Sequence, residues 1–306
     1  MKGKSPKFSV GTDPELVFLS QDNRIVKAES LLRRTDPFGV DGHRYIAELR
    51  PSPAFTPRKL VKNINELLAT KADSLRNYKW IVGPWVKEKP LGGHIHFGIP
   101  LEDDFVDALD NYLGTVLALV EPEEQARQRR TIVFYGENPY GSLGDVRRKD
   151  WGFEWRTPSS FIVSPGVSLG IFSLAKAIIH EEMLGTKAAW TELPAKTRRI
   201  LEINEKKFYE CDKKHFMPKV DELWKVFRTM KYFEKGYEGH KEWSAVAYLQ
   251  NRVAASLGFV PEKDIRPSWK LVGKPKTKAN SPLLIREEVL ETNGLPTINE
   301  FLIRIF

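Results

Sequence analysis

Four segments of this chain each carry two ionisable side chains separated by one residue, inside sequence that otherwise reads as β-strand. They are Asp13 and Glu15, Glu48 and Arg50, His94 and His96, and Glu154 and Arg156. Residues at i and i+2 of a strand share a face. The alternate positions are apolar: Phe8, Val10, Leu16 and Phe18; Tyr45, Ala47 and Leu49; Ile95, Phe97 and Ile99; Phe153 and Trp155. Each strand is therefore expected to pack helices on one face and to present charge on the other. An antiparallel or mixed sheet permits that division.

A solvent-facing sheet surface commonly bears charge, so one such pair would say little. Four pairs form a working set. Carboxylates with imidazole suit divalent cations. Arginines among them suit phosphate oxygens, which they grip bidentately. Crowding these groups is costly unless they are neutralised, and metal ions with a polyphosphate would neutralise them together. Other chemistries lack their signatures. There is no phosphate loop and no Gly-x-Gly-x-x-Gly after a strand. His180-Glu181-Glu182 lacks the second histidine of a zinc-protease helix and is read as a helix face.

The surrounding pattern predicts an α+β fold. Residues 7–21 read as a strand turning at Asp22-Asn23, and His43–Arg50 as a second strand ended by Pro51 and Pro53. Thr56 caps a helix opening at Pro57, with Leu60, Ile64, Leu67 and Leu68 at helical spacing. Short strands follow at Trp80–Val82, Gly93–Ile99 and Trp151–Thr157. An amphipathic helix runs from Phe105 to Val120 and an apolar one from Val167 to Met183. Residues 1–185 are expected to form the sheet core and 186–306 a mostly helical extension packed on the same domain, with a helix at Trp243–Ser256. A loop is expected at 273–278, and a final strand or docked tail at 301–306.

One cysteine, Cys211, cannot form an internal disulfide, and no stretch approaches a membrane span. A cytoplasmic protein with no membrane partner is expected. The net charge of +8 is concentrated in residues 181–280, which hold 21 Lys and Arg against 14 Asp and Glu. That surface suits either solubility or an anionic partner such as nucleic acid.

Four ordered motifs carry a family resemblance: Gly11-Thr12-Asp13-Pro14-Glu15; Asp41-Gly42 leading to Ala47-Glu48-Leu49-Arg50-Pro51; Gly92-Gly93-His94-Ile95-His96-Phe97-Gly98; and Phe153-Glu154-Trp155-Arg156-Thr157-Pro158. The chain resembles the carboxylate–amine ligases of tailed bacteriophages, in the glutamine synthetase and glutamate–cysteine ligase superfamily. That resemblance implies a curved, mostly antiparallel sheet of glutamine-synthetase type, with helices on its convex face and ATP with Mg²⁺ or Mn²⁺ on the other. By resemblance, Asp13, Glu15, Glu48, His94 and Glu154 are metal ligands. His96, Arg147, Arg148 and Arg156 meet the nucleotide phosphates. Arg156, Arg50 and Glu154 serve the reaction, with Arg50 either gripping the substrate carboxylate or pairing with Glu48 or Asp13. The implied activity is amide formation between a carboxylate and an amine through an acyl phosphate, in the host cytoplasm if the chain is phage-encoded. Two alternatives are a guanidino-kinase-like phosphotransferase and a non-catalytic phage protein that binds nucleic acid or is structural. The chain departs from glutamine synthetase in having Asp-Pro-Glu for two glutamates and Arg50 where that enzyme has further acids, which leaves the number of metal ions open.

Overall fold

Proline has no amide hydrogen to give a β-ladder, and the chain uses Pro14 to pass from one sheet to another. In the computed structural model, which describes residues 6–132, 139–255, 263–272, 284–285 and 303–304, the strand expected over 7–21 is two. β1 is Val10–Thr12 and β2 is Glu15–Leu19. Then come β3 (Ile25–Val26), β4 (Phe38–Val40), β5 (Ile46–Leu49), β6 (Lys79–Ile81), β7 (Trp85–Val86), β8 (Lys89–Pro90), β9 (Ile95–Phe97), β10 (Val146–Lys149) and β11 (Gly152–Trp155). One antiparallel sheet has the order β1-β9-β11-β10. The other has β3-β2-β5-β4, with β6 also on β2, and β7 and β8 form a separate hairpin. The expected antiparallel β-structure backed by helices is present, but in two sheets rather than one.

Two further differences follow from local chemistry. His43 lies in the turn before β5 rather than in the strand. Arg147 and Arg148, expected just before the Trp151 strand, lie in a strand of their own. β10 folds back on β11 through a tight turn, where Gly152 has φ 149°. A Cβ at Gly152 would collide with the Phe97 carbonyl on β9, so only glycine lets the strands meet there.

The helices are α1 (Pro57–Ala69), α2 (Asp103–Ala108), α3 (Thr115–Val120), α4 (Glu123–Arg130) and α5 (Pro165–Leu184), followed by α6 (Ala195–Leu201), α7 (Glu205–Tyr209), α8 (Lys213–Phe216), α9 (Val220–Thr229) and α10 (Trp243–Ala254). Thr56 caps α1 as expected, its side chain accepting from the Lys59 amide at 3.2 Å. A π-helical segment, Leu109–Gly114, joins α2 to α3. The apolar sheet positions Leu16, Phe18, Ala47, Leu49, Ile95, Phe97, Phe153 and Trp155 share one core with α1, α3, α5 and α10. A smaller cluster of Val17, Leu19, Ile46, Ile81, Val86 and Leu91 covers the other face of β2. β2 is consequently buried on both sides.

His180-Glu181-Glu182 lies on α5, as expected of a helix face, and α5 is buried along most of its length. His180 Nδ1 lies 3.1 Å from Glu181, whose carboxylate also accepts from the Tyr232 amide at 2.8 Å. A buried charge needs such partners. Cys211 is likewise buried, its Sγ accepting from Arg130 at 2.9 Å.

Residues Met1–Val272 form one compact unit and Gly273–Phe306 a second. In the second, β12 (Leu284–Ile285) pairs antiparallel with β13 (Ile303–Arg304). The loop expected at 273–278 lies outside the described residues, as does the expected last segment except for 303–304. Among the described residues no helix is long and apolar enough to cross a membrane.

Candidate active site

The pairing register decides which charged side chains meet. His96 sits in the centre of its sheet, opposite Gly11 on β1 and Glu154 on β11. Arg147 on β10 is opposite Glu154, and Lys149 follows two residues later on the same face. In the second sheet Glu15 is directly opposite Glu48. Asp13 occupies the junction between the sheets. Gly92 closes the arrangement from behind. A Cβ there would collide with the His94 ring and the Tyr140 hydroxyl, so glycine is what allows those two groups to approach.

Asp13 Oδ1 lies 3.0 Å from His94 Nδ1 and 3.3 Å from His96 Nε2. His94 Nδ1 is also 3.3 Å from Glu154, and its Nε2 is 3.2 Å from the Tyr140 hydroxyl. Tyr140 donates to Glu15 at 3.3 Å, and the Gly92 amide donates to Glu15 at 2.5 Å. Glu154 is ringed by cations: Arg156 at 3.2 Å, Lys149 at 3.5 Å and Arg147 at 3.6 Å. Asp110, in the π-helical segment, accepts from Trp155 Nε1 at 2.8 Å and so anchors the strand between Glu154 and Arg156.

The carboxylates do not share one electrostatic state. Burial pushes Glu15 up to about 7, with Asp41 and Asp13 adding to the effect against the pull of His94. Burial likewise pushes Glu48 up to about 8, helped by Asp13 and Asp41, with Arg50 opposing. Burial also disfavours charge on Asp13, yet the two imidazoles outweigh it and hold that carboxyl well below the usual range. For His94, burial opposes the charged ring, but Asp13, Glu15 and Glu154 more than offset this and raise its pKa. Acids held above their ordinary pKa beside an ionised one have an unmet demand for positive charge.

Asp13, Glu15, Glu48, His94, Arg147, Glu154 and Arg156 line one cavity of about 820 Å³. Three residues expected among them, Arg148, Arg50 and His96, do not line it. Arg148 points away, donating to the Leu101 carbonyl at 3.1 Å with Asp103 at 3.9 Å, because neighbours on a strand take opposite faces. Arg50 pairs with Glu48 and donates to the carbonyls of Asp36 at 3.1 Å, Val40 at 3.2 Å and Arg34 at 3.3 Å. It lines a second cavity of about 400 Å³, together with Asp13 and His96. The Glu48–Arg50 pair is thus divided between two cavities. Sequence reasoning missed Lys149, Tyr140, Asp145, Lys89 and His43, all near or lining the site. Only Lys149 had a signal, its i+2 relation to Arg147.

Asp13, His96 and Glu154 offer ligand atoms all within 4.8 Å of one another, a spacing that fits a single cation. The buried His96 Nε2 points at Asp13 Oδ1 across 3.3 Å, so the two ligand atoms face each other where a cation could sit. Both ring nitrogens of His94 face partners, Asp13 at Nδ1 and the Tyr140 hydroxyl at Nε2.

Residues 10–271 match the family model described as phage phiEco32-like COOH.NH2 ligase-type 2. Among curated proteins the sequence has no match. A solved structure with partial likeness is the bifunctional glutathione synthetase from Pasteurella multocida, at 13% identity and a TM-score of 0.42, over 87% of this chain and 51% of that one. The present chain thus spans about half the length of that enzyme. With the family model covering most of its length and all four motifs lying within the matched span, the chain belongs to the phage phiEco32-like COOH.NH2 ligase-type 2 family.

Proposed function

We propose that the chain is an ATP- and divalent-metal-dependent carboxylate–amine ligase on a curved sheet of glutamine-synthetase type. The observation that carries this reading is the convergence of Asp13, Glu15, Glu48, Glu154, His94, Arg147 and Arg156 on one cavity of about 820 Å³. A pocket of that size suits a nucleotide with its substrate.

In the proposed reaction a substrate carboxylate oxygen attacks the γ-phosphorus of ATP. The bond to ADP breaks and an acyl phosphate forms. An amine nitrogen then attacks the acyl carbon, expels inorganic phosphate and loses a proton, leaving an amide. The chain's task is placement and charge neutralisation. Arg147, Lys149 and Arg156 hold the phosphoryl oxygens, and removing one such donor costs ~10²–10³ in turnover. Asp13, His96 and Glu154 would hold one Mg²⁺ or Mn²⁺, and Glu15 with Glu48 a second. A cation held there would supply positive charge to offset the negative charge developing on the phosphoryl group. Tyr140 and Asp13 fix the His94 ring between them.

Incubation with ATP, Mg²⁺ and pools of small acids and amines is expected to release ADP and phosphate with a new amide in the mass spectrum. Release of AMP and pyrophosphate instead would contradict the acyl-phosphate route. Calorimetry of Glu154→Ala should show metal-dependent ATP binding lost with the circular dichroism unchanged.

A further inference from the structure

Arg129, in the last turn of α4, is 1% exposed and lines neither cavity described above. Its neighbour Arg130 pairs with Glu121, whereas among the described residues no carboxylate pairs with Arg129. Burying a guanidinium without a counter-ion is costly unless its donors are satisfied. What satisfies them is the back of the candidate site. Nη1 donates to the Thr157 carbonyl at 2.9 Å, and Nη2 to the carbonyls of Pro158 at 2.9 Å and Arg156 at 3.4 Å. The same group lies over the Tyr140 ring, 4.7 Å from its centre. Gly141 makes room for it, since a Cβ there would collide with Nη1.

We infer that Arg129 is a positioning residue of the proposed ligase, holding Tyr140 and the segment from Arg156 to Pro158 where the cavity needs them. The inference rests on the function proposed above. Two paths lead from this guanidinium to the cavity. The first runs through Tyr140. Cation–π attraction holds the ring by its face and leaves the hydroxyl free to donate to Glu15 at 3.3 Å and to meet His94 Nε2 at 3.2 Å. The second runs through the carbonyls. They fix the stretch that begins with Arg156, whose side chain reaches Glu154 at 3.2 Å. The Pro158 carbonyl also accepts from the Gly93 amide at 3.0 Å, next to His94, and the Ser160 hydroxyl donates to the Glu15 carbonyl at 2.5 Å. One buried group therefore braces the separate stretches that carry Glu15, His94 and Arg156. The task needs arginine. A planar fork meets three carbonyls and a ring face at once, whereas the ammonium of lysine is a point donor.

The test uses the full chain, with Mn²⁺ titration and calorimetry of Mg²⁺–ATP as readouts. Arg129→Lys and Arg129→Gln should each weaken both affinities ~10-fold while the circular dichroism stays that of the wild type. A double-mutant cycle with Tyr140→Phe separates positioning from general loosening. Each double variant should bind no more weakly than its Arg129 single variant, because the tyrosine path is already broken. Affinities unchanged in the folded Arg129 variants would overturn the inference, as would full additivity with Tyr140→Phe. Failure of both Arg129 variants to fold would make the residue a structural group and overturn it as well. The wild type distinguishes the two readings. If it binds no Mg²⁺–ATP, the ligase falls and the inference with it, whereas wild-type binding matched by the variants removes only the role of Arg129.

Discussion

Replacing Glu15 by glutamine should make the protein more stable at pH 8 and leave it nearly unchanged at pH 5. Glu15 is buried, and its proton affinity in the folded chain rises from an ordinary 4.5 to about 7. The folded state therefore binds this proton more tightly than the unfolded chain does. Below 4.5 both states are protonated and no cost arises. As pH climbs through 7 the folded chain must also ionise, and the cost reaches its full value. At ~1.4 kcal/mol per tenfold change in affinity, that value is about 3 kcal/mol at pH 8 and below about 1 kcal/mol at pH 5. Glutamine keeps an oxygen for the Gly92 amide and removes the charge. Thermal unfolding of Glu15→Gln without divalent cations should thus rise by roughly 5–10 °C at pH 8. Adding Mg²⁺ at pH 8 should stabilise the wild type more than the variant, because the cation takes over the neutralising role. If Glu15→Gln unfolds earlier than the wild type by the same margin at both pH values, the carboxylate is a satisfied structural group and the reasoning fails.

Arg147→Ala should weaken Mg²⁺–ATP binding or turnover by ~10²-fold, while the adjacent Arg148→Ala should leave both alone; equal effects in steady-state kinetics would contradict the strand register. Arg50→Ala should destabilise the fold by about 1–3 kcal/mol in urea titrations, since it strands the Glu48 carboxylate and frees three carbonyls. Asp110→Ala should cost about 2–3 kcal/mol by the same assay, because the buried Trp155 Nε1 loses its acceptor. Tyr140→Phe removes the hydroxyl that ties Glu15 to His94 and should cost about 1 kcal/mol, with a lowered affinity for Mn²⁺ measured by titration.

Where an interaction is local in sequence, the chain reads easily. Thr56 before Pro57 announces the start of α1, and the apolar spacing of Leu60, Ile64 and Leu68 announces its buried face. The period of two around Glu154 and around His96 foretells which residues enter the core. What stays hidden depends on distant partners. Val146-Arg147-Arg148-Lys149 has no apolar alternation, and it is a strand because β11 supplies the ladder. Arg50 has the strand position of a site residue, yet the carbonyls of residues 34–40 turn it aside, and nothing near Arg50 in the sequence reveals that they lie within reach. His94 and His96 look interchangeable as text. Only the placement of Tyr140 and Asp13 shows that one ring meets a partner at both nitrogens while the other meets Asp13 through Nε2.

The passage of the chain between sheets at Asp13-Pro14 sets a strict ruler for this segment. Val10–Thr12 is registered against β9 and Glu15–Val17 against β5, so two residues must span the gap. Lengthening the link by a single residue would leave the first ladder in place and invert the second. Leu16 would then turn toward the polar cavity and Glu15 toward the hydrocarbon interior. Side chains here can drift in kind, but the number of links between the two ladders is fixed by geometry.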